Sequence, residues 1–350
     1  MSRNERIWLV ATAAATAAAG VLRYAVSPGV LPFVVAGLAL AGLAWLVSFA
    51  TELVGQRFGP ALTGFLQSSL GNLPEFFIVI FALSAGETVV AQTSLIGSVF
   101  ANALLVLGLV IVVGARSADD GLMRFNPRLP NDTATLLLVS VFIIVIAGLT
   151  VGSSHKVASH IQTISAIGAG CVLVVYVAWA FSYLRSDAVP AAPAHGPPAL
   201  SLPAAMVLLA AAGVAAAFVS DWFIHALDPA VRSLGISKAF AGLVIVAIAG
   251  NAVENFTGLV MARKRNWDLA ISVVKNSVAQ IAAFLFPALV LVSLAFTHAL
   301  TFELAPIYIG GLFFTAIAVW QITGDGEAYE FEGWALIALY VILATFTLYE

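Results

Sequence analysis

The sequence contains very little charge. Only 9% of its 350 residues are charged and 61% are hydrophobic, whereas a soluble domain carries about 25% charged residues. Apolar runs recur along the whole chain, and several approach the roughly 20 residues that a helix needs to cross a bilayer. Because lipid cannot satisfy open backbone groups, these runs predict an all-α bundle of transmembrane helices.

Cysteine and basic charge are also scarce. The single cysteine, Cys171, can form no intrachain disulfide. A net charge of −3 provides no basic surface for nucleic acid, so ions and membrane lipid are the expected partners. Neither an aspartate pair nor a metal-binding histidine motif indicates catalysis, so we expect no enzyme and no resident cofactor.

The apolar runs predict about eleven spans, arranged as one leading helix and two halves of five helices. The predicted segments are a leading helix at 1–28, a first repeat at 29–186, a Pro-rich linker at 187–198 and a second repeat at 199–350. Ten basic residues then fall on one side against four on the other, which favours a cytoplasmic N-terminus and an external C-terminus. We expect the first helix to be retained rather than cleaved as a signal peptide, and the short loops favour a prokaryotic inner membrane.

A short motif that ends in a glutamate occurs twice, as GNLPE at 71–75 and as GNAVE at 250–254. Sliding the sequence by 179 residues superimposes four pairs: Gly71 and Gly250, Asn72 and Asn251, Glu75 and Glu254, Ser98 and Ser277. The two copies are five predicted spans apart, so the second is inverted in the membrane. Inverted repeats with a polar motif at mid-membrane are typical of secondary transporters.

The two glutamates predict an ion site. An ionised carboxylate at the centre of a spanning helix costs about 2.5–3.5 kcal/mol, so Glu75 and Glu254 need a cation or a proton. Facing one cavity, they require either a bound divalent cation or at least one protonated carboxyl. Asn72 and Asn251 lie one turn before them on the same helix face, so their carboxamide oxygens and the carboxylate oxygens can meet one ion. A site made only of oxygen ligands suits a hard cation such as Ca²⁺.

The motif helices are expected to break at the membrane centre. Pro74 lacks an N–H group and Gly71 is flexible, so freed carbonyls of the first motif helix should face the cavity. The second copy has Gly250 but Val253 in place of proline, so its break depends on the glycine. Alternatively, the Asn and Glu side chains only bond helices together. Two inverted copies, each followed by a serine, favour the ion site.

These motifs resemble a known family. GNLPE with GSVFAN (97–102), and GNAVEN with NSVAQI (276–281), resemble the two alpha-repeats of the calcium/cation antiporter superfamily, in its cation/proton exchanger branch. The resemblance covers about residues 45–350. It implies export of Ca²⁺ from the cytosol against inward proton flow, with Glu75 and Glu254 as shared cation and proton sites. It also implies supporting polar positions at Ser98, Asn102, Ser277 and Gln280.

The sequence departs from this pattern in three respects, and the first is that the long acidic helix found in some members between the halves is absent, the linker holding only Asp187. Asn255 replaces the usual histidine after the second glutamate, and Asn276 replaces a glycine and follows an intramembrane lysine, Lys275. Lys275 is rotated about 200° from Ser277 in a regular helix. We therefore expect it to point away from the ion and to reach the cytoplasmic surface by snorkelling. Glu52, near a membrane boundary, is either a vestibule site for cations or a surface residue.

The sequence thus predicts a Ca²⁺/H⁺ antiporter that works by alternating access. The alternatives are the same fold with another ion pair, Na⁺/Ca²⁺ or a monovalent cation with H⁺, a passive channel, and an intramembrane enzyme. Flux in sealed vesicles separates them, because only an antiporter requires a counter-ion gradient.

Overall fold

The chain forms a bundle of membrane-spanning helices. The computed structural model describes residues 3–55, 70–151, 155–185 and 200–350. Within these ranges, nine helices are long and apolar enough to cross a membrane, and the protein is an integral membrane protein. The helices are α1 (Arg3–Ala25), α2 (Val30–Gly55), α3 (Leu73–Ser84), α4 (Thr88–Ser117), α5 (Arg128–Val151), α6 (His155–Ala158), α7 (Ile161–Arg185), α8 (Leu202–Leu234), α9 (Lys238–Gly250), α10 (Ala252–Arg263), α11 (Trp267–Ser293), α12 (Pro306–Thr323) and α13 (Glu330–Leu348).

The nine long helices coincide with nine of the eleven predicted spans. The other two predicted spans are those that carry the motifs at 71–75 and 250–254. There the described chain has shorter apolar helices, which are α3 in the first repeat and α9 followed by α10 in the second. The count of eleven spans therefore remains a prediction. The predicted linker at 187–198 lies outside the described residues.

The two repeats share the same backbone conformation in the turn after α3 and in the turn after α10. The turn after α3 has Gly86 in the left-handed region at φ 78°, and the turn after α10 has Arg265 there at φ 61°. These residues are related by the same 179-residue offset as the two motifs. Gly86 N–H donates to Leu83 O at 3.1 Å, and Arg265 N–H donates to Ala262 O at 3.1 Å. In both repeats, the helix that carries the motif glutamate therefore ends in the same turn. Only the first repeat has the glycine that this conformation favours.

Three helices are locally widened into π-helical turns. These are Ala101–Val106 in α4, Ala241–Val246 in α9 and Ile281–Leu285 in α11. The segments in α4 and α11 lie at equivalent places of the two repeats. Because π-helical turns occur frequently at functional sites, we expect the functional site where these helices cross the motif helices.

Helices α4 and α9 cross with their backbones in contact. A Cβ atom on Gly97 would lie 2.4 Å from Leu243 Cα, and one on Gly242 would lie 2.1 Å from Thr93 Oγ1. A side chain at either position would push the helices apart. The two glycines thus bring α4 of the first repeat against the motif helix of the second.

At one end of the bundle, two loops pair as a short antiparallel ribbon. Strand β1 (Leu122–Arg124) follows α4, and strand β2 (Glu327–Tyr329) follows α12. Arg265 of the α10–α11 turn binds Asp119 there at 2.7 Å. Its guanidinium hydrogen bond lowers the pKa of this exposed carboxyl below the usual range. The loops that the charge distribution assigns to the cytoplasm therefore meet at one face.

The opposite end contains a second ionic cluster. Lys238 Nζ, at the start of α9, lies 2.7 Å from Glu87 Oε2 and 2.6 Å from Asp228 Oδ1. Glu87 belongs to the α3–α4 turn and Asp228 to the last turns of α8. The ion pairs join turns that the predicted topology assigns to the external side, and that assignment stays a prediction.

Candidate cation and proton site

Both motif helices are interrupted at the asparagine of the motif. Asn72 forms a turn between the helical residues Leu70 and Gly71 and helix α3, and Asn251 forms a turn between α9 and α10. The second break occurs without a proline. There the side chain of Asn251 bonds to its own helix: Nδ2 donates to Ala247 O at 2.8 Å, beside the backbone N–H of Asn251, which donates to the same carbonyl at 3.2 Å. Asparagine favours such breaks because its amide bonds to nearby backbone groups.

Each interruption places a glutamate in the first turn of a new helix. Glu75 is the third residue of α3, and Glu254 is the third residue of α10. The N-terminal end of a helix carries a partial positive charge that stabilises a carboxylate. The side chain of Glu254 is outside what the structure describes, so the predicted pairing of the two carboxylates stays a prediction.

The Glu75 side chain is enclosed by polar groups from both repeats. It is 2% exposed. Its Oε1 accepts hydrogen bonds from Ser98 Oγ and, at 2.7 Å, from Asn251 Nδ2. Asn251 Nδ2 also lies 2.9 Å from Ser98 Oγ. Three residues that the 179-residue repeat singled out, Glu75, Ser98 and Asn251, therefore meet at one point.

Glycine makes this approach possible. A Cβ atom on Gly250 would lie 2.9 Å from Glu75 Cγ and 3.2 Å from its Oε1. The carboxylate thus lies directly against the backbone at the C-terminal end of α9. Gly71, the equivalent residue of the first motif, is buried at the first break.

A second amide extends the network. Asn102, in the π-helical turn of α4, donates from Nδ2 to Asn251 Oδ1 at 2.8 Å and to Ser98 O at 3.0 Å. The repeat did not predict Asn102, because Ile281 occupies the equivalent position; only the family resemblance indicated it. Asn251 consequently shows its N–H group to Glu75, whereas the sequence predicted that its oxygen would meet the ion.

Buried oxygens without a hydrogen-bond partner lie on the equivalent helix of the second repeat. Ser277 and Gln280 of α11 are 2% and 1% exposed. In the part of the chain that the structure describes, Ser277 Oγ and Gln280 Oε1 have no hydrogen-bond partner, and neither has Asn102 Oδ1. Buried polar atoms are normally satisfied, so Ser277 Oγ and Gln280 Oε1 are available to a hard cation or to water.

Lys275 does not snorkel to the cytoplasmic surface, and this expectation is wrong. Its side chain is 1% exposed, and its Nζ lies 3.3 Å from Thr323 Oγ1 at the end of α12. Helix α5 packs along α11, and the Lys275 side chain is enclosed by protein instead of reaching water. The amine thus bonds to α12 and is not part of the hydrogen-bond network around Glu75.

The structure gives the position and burial of two further predicted site residues. Asn72 is buried at the first helix break, 6% exposed, and Glu52 is half-buried near the end of α2. Their roles as a supporting ligand and a vestibule site stay predictions.

The comparison with known proteins agrees with this geometry. The family described as sodium/calcium exchanger protein matches residues 28–183 and 204–349, which is most of the chain in two segments. The chain belongs to this family. The family prediction from the two alpha-repeats is confirmed.

Similar exchangers in other organisms cover nearly the whole chain. A "Vacuolar calcium ion transporter" of Schizosaccharomyces pombe is 31% identical over 89% of this chain and 77% of its own length. A "Ca(2+)/H(+) antiporter ChaA" of Bacillus subtilis is 29% identical over 91% of this chain and 92% of its own. The solved structure of native YfkE superimposes with a TM-score of 0.82 at 27% identity, covering 98% of this chain and 100% of that one.

Proposed function

We propose that this exchanger is a secondary antiporter that moves Ca²⁺ in exchange for H⁺ at one site shared by Glu75 and Glu254. The observation that carries the proposal is the buried Glu75 carboxylate, held at the break of one motif helix by Ser98 and by Asn251 from the break of the other. The names of the similar proteins, a calcium transporter and a Ca(2+)/H(+) antiporter, support the choice of ions.

Competition for the same carboxylates couples the two fluxes. A divalent cation neutralises two carboxylates, and so do protons, but the two occupants exclude each other. Alternating access then carries either the cation or the protons across. The proposed supporting residues around the two glutamates are Gly71, Asn72, Ser98, Asn102, Gly250, Asn251, Ser277 and Gln280.

The proposal is tested by Ca²⁺ flux in vesicles that contain the purified protein. We expect uptake of radioactive calcium when the pH gradient is imposed, and its loss when a protonophore removes the gradient. Na⁺, K⁺, Mg²⁺ and Mn²⁺ are added in turn as competitors and as counter-ion gradients. Uptake without any gradient would indicate a channel, and uptake driven by Na⁺ alone would indicate the other ion pair.

We also propose that the N-terminus is cytoplasmic, that the C-terminus is external, and that the membrane is a prokaryotic inner membrane. The excess of basic residues on one side supports this orientation. The segments 28–183 and 204–349 that match the family support two halves, with the leading helix and a linker outside them.

The orientation predicts which engineered cysteines are labelled from outside. Cys171 is first replaced by serine, and then Lys156→Cys and Lys264→Cys are made separately; both lysines are exposed. We expect an impermeant maleimide added to intact cells to label Lys156→Cys and to leave Lys264→Cys unlabelled until the membrane is opened. Labelling of both from the same side would contradict this orientation, and labelling of Glu87→Cys and Lys264→Cys from the same side would contradict the inverted repeat.

A further inference from the structure

The orientation of the Asn251 amide is fixed by the atoms around it. Its Nδ2 lies 2.7 Å from Glu75 Oε1 and 2.8 Å from Ala247 O. A backbone carbonyl only accepts hydrogen bonds, and so does an ionised carboxylate. Turning the amide over would place its oxygen against both acceptors. The N–H group of Asn251 therefore faces Glu75.

Asn102 reinforces this orientation from behind. Its Nδ2 donates to Asn251 Oδ1 and to the carbonyl of Ser98 on its own helix. The Ser98 carbonyl fixes the orientation of Asn102 in the same way that the Ala247 carbonyl fixes that of Asn251. Asn102 is 0% exposed, and its Oδ1 has no hydrogen-bond partner in the described ranges. Within the network, Asn102 thus acts only as a donor.

The observed orientation competes with a cation. Ca²⁺ can bind a carboxylate through both oxygens. A cation bound to Glu75 in this way needs the lone pairs of Oε1, and the Asn251 N–H group occupies one of them. If Asn251 turned its oxygen toward the ion, its Nδ2 would face the Nδ2 of Asn102, donor against donor. Asn102 therefore penalises the amide orientation that a bound cation favours.

We propose that Asn102 is a positioning residue that holds Asn251 as a hydrogen-bond donor to the cation-free Glu75, and so weakens cation binding and speeds cation release. This inference rests on the proposed function. This positioning applies to Glu75 and not to Glu254, because the position equivalent to Asn102 in the second repeat is Ile281, whose side chain has no polar group. The two carboxylates thus differ in how readily they give up the cation.

The test compares Ca²⁺ affinity and turnover in a double-mutant cycle of Asn102 and Asn251. We expect Asn102→Leu to lower the KM for Ca²⁺ about threefold or more and to lower kcat, because the cation displaces Asn251 more easily and leaves more slowly. In the Asn251→Ala background, Asn102→Leu should no longer lower the KM. Asn102→Ala, which cannot clash, is measured in parallel, and equilibrium Ca²⁺ binding to the purified protein gives the affinity without transport. Ile281→Leu is the matched control and should leave both constants unchanged.

The outcomes are distinct. A KM that rises or stays constant in the Asn102 variants, or that falls equally with and without the Asn251 amide, would overturn the positioning role and leave the proposed function intact. A wild-type protein that neither binds nor exchanges Ca²⁺ would overturn the proposed function, and this inference with it.

Discussion

Glu75→Gln should abolish Ca²⁺/H⁺ exchange, with a fall of at least about 100-fold, or about 2.7 kcal/mol. The substitution keeps the shape of the side chain but removes its charge. Oε1 of Glu75 accepts from both Ser98 and Asn251, and these donors remain in place for a glutamine oxygen, so the fold should survive. What is lost is the charge that balances a divalent cation and the group that returns a proton.

Glu254→Gln should have an effect of the same size, because one carboxylate cannot neutralise a divalent cation. The measurement is calcium uptake driven by a pH gradient, together with the reverse flux of protons, in vesicles with equal amounts of protein. Both fluxes should fall together. In the wild type, acid on the cation-loading side should slow uptake, since protons occupy the carboxylates that the cation needs.

The matched control is Glu303→Gln. This glutamate is exposed in the α11–α12 loop, and its substitution should leave exchange unchanged. A Glu75→Gln protein that still exchanged Ca²⁺ for H⁺ near the wild-type rate would show that the carboxylate only packs the bundle, and the shared-site mechanism would be wrong.

The spacing of the sequence predicted which side chains meet, because inverted symmetry brings equivalent positions to a common axis. Glu75, Ser98 and Asn251 were singled out by the 179-residue offset, and they share hydrogen bonds. Asn102 breaks the symmetry of the repeat, so spacing alone did not reveal it. Its contact with Asn251 joins residues 149 positions apart in the chain.

Other features depend on atoms that no local pattern specifies. The direction of the Asn251 amide is set by the carbonyl of Ala247 and by Asn102, so the prediction of an oxygen facing the ion did not anticipate it. Snorkelling of Lys275 was expected from its distance along the helix to the cytoplasmic end, but it depends on which helices cover that face. The second helix break was uncertain without proline, because an asparagine side chain that bonds to the last turn of the helix is not part of the proline rule.

The close crossing of α4 and α9 was also not evident in the sequence, where Gly97 is one of 28 glycines. This crossing supports the site directly. Ser98 follows Gly97, and Leu243 belongs to the helix that ends at Gly250 against Glu75. Widening the crossing would therefore separate Ser98 from the carboxylate and the Asn251 amide that it bonds.

Gly97→Ala should consequently destabilise the protein and reduce exchange together. The added Cβ would lie 2.4 Å from Leu243 Cα and 2.5 Å from its carbonyl oxygen. These are backbone atoms, so no side-chain rotation relieves the overlap, and overpacking of this kind costs about 1–3 kcal/mol.

The matched control is Gly170→Ala in α7, where a Cβ meets nothing within 4 Å. There, alanine should be neutral or stabilising by about 0.5–1 kcal/mol, because glycine weakens a helix interior. Thermal unfolding of both variants in detergent, compared with the wild type, measures the difference. If Gly97→Ala unfolds at the same temperature as Gly170→Ala and retains exchange, the helices are not in backbone contact at this crossing, and the position of Ser98 beside Glu75 has another cause.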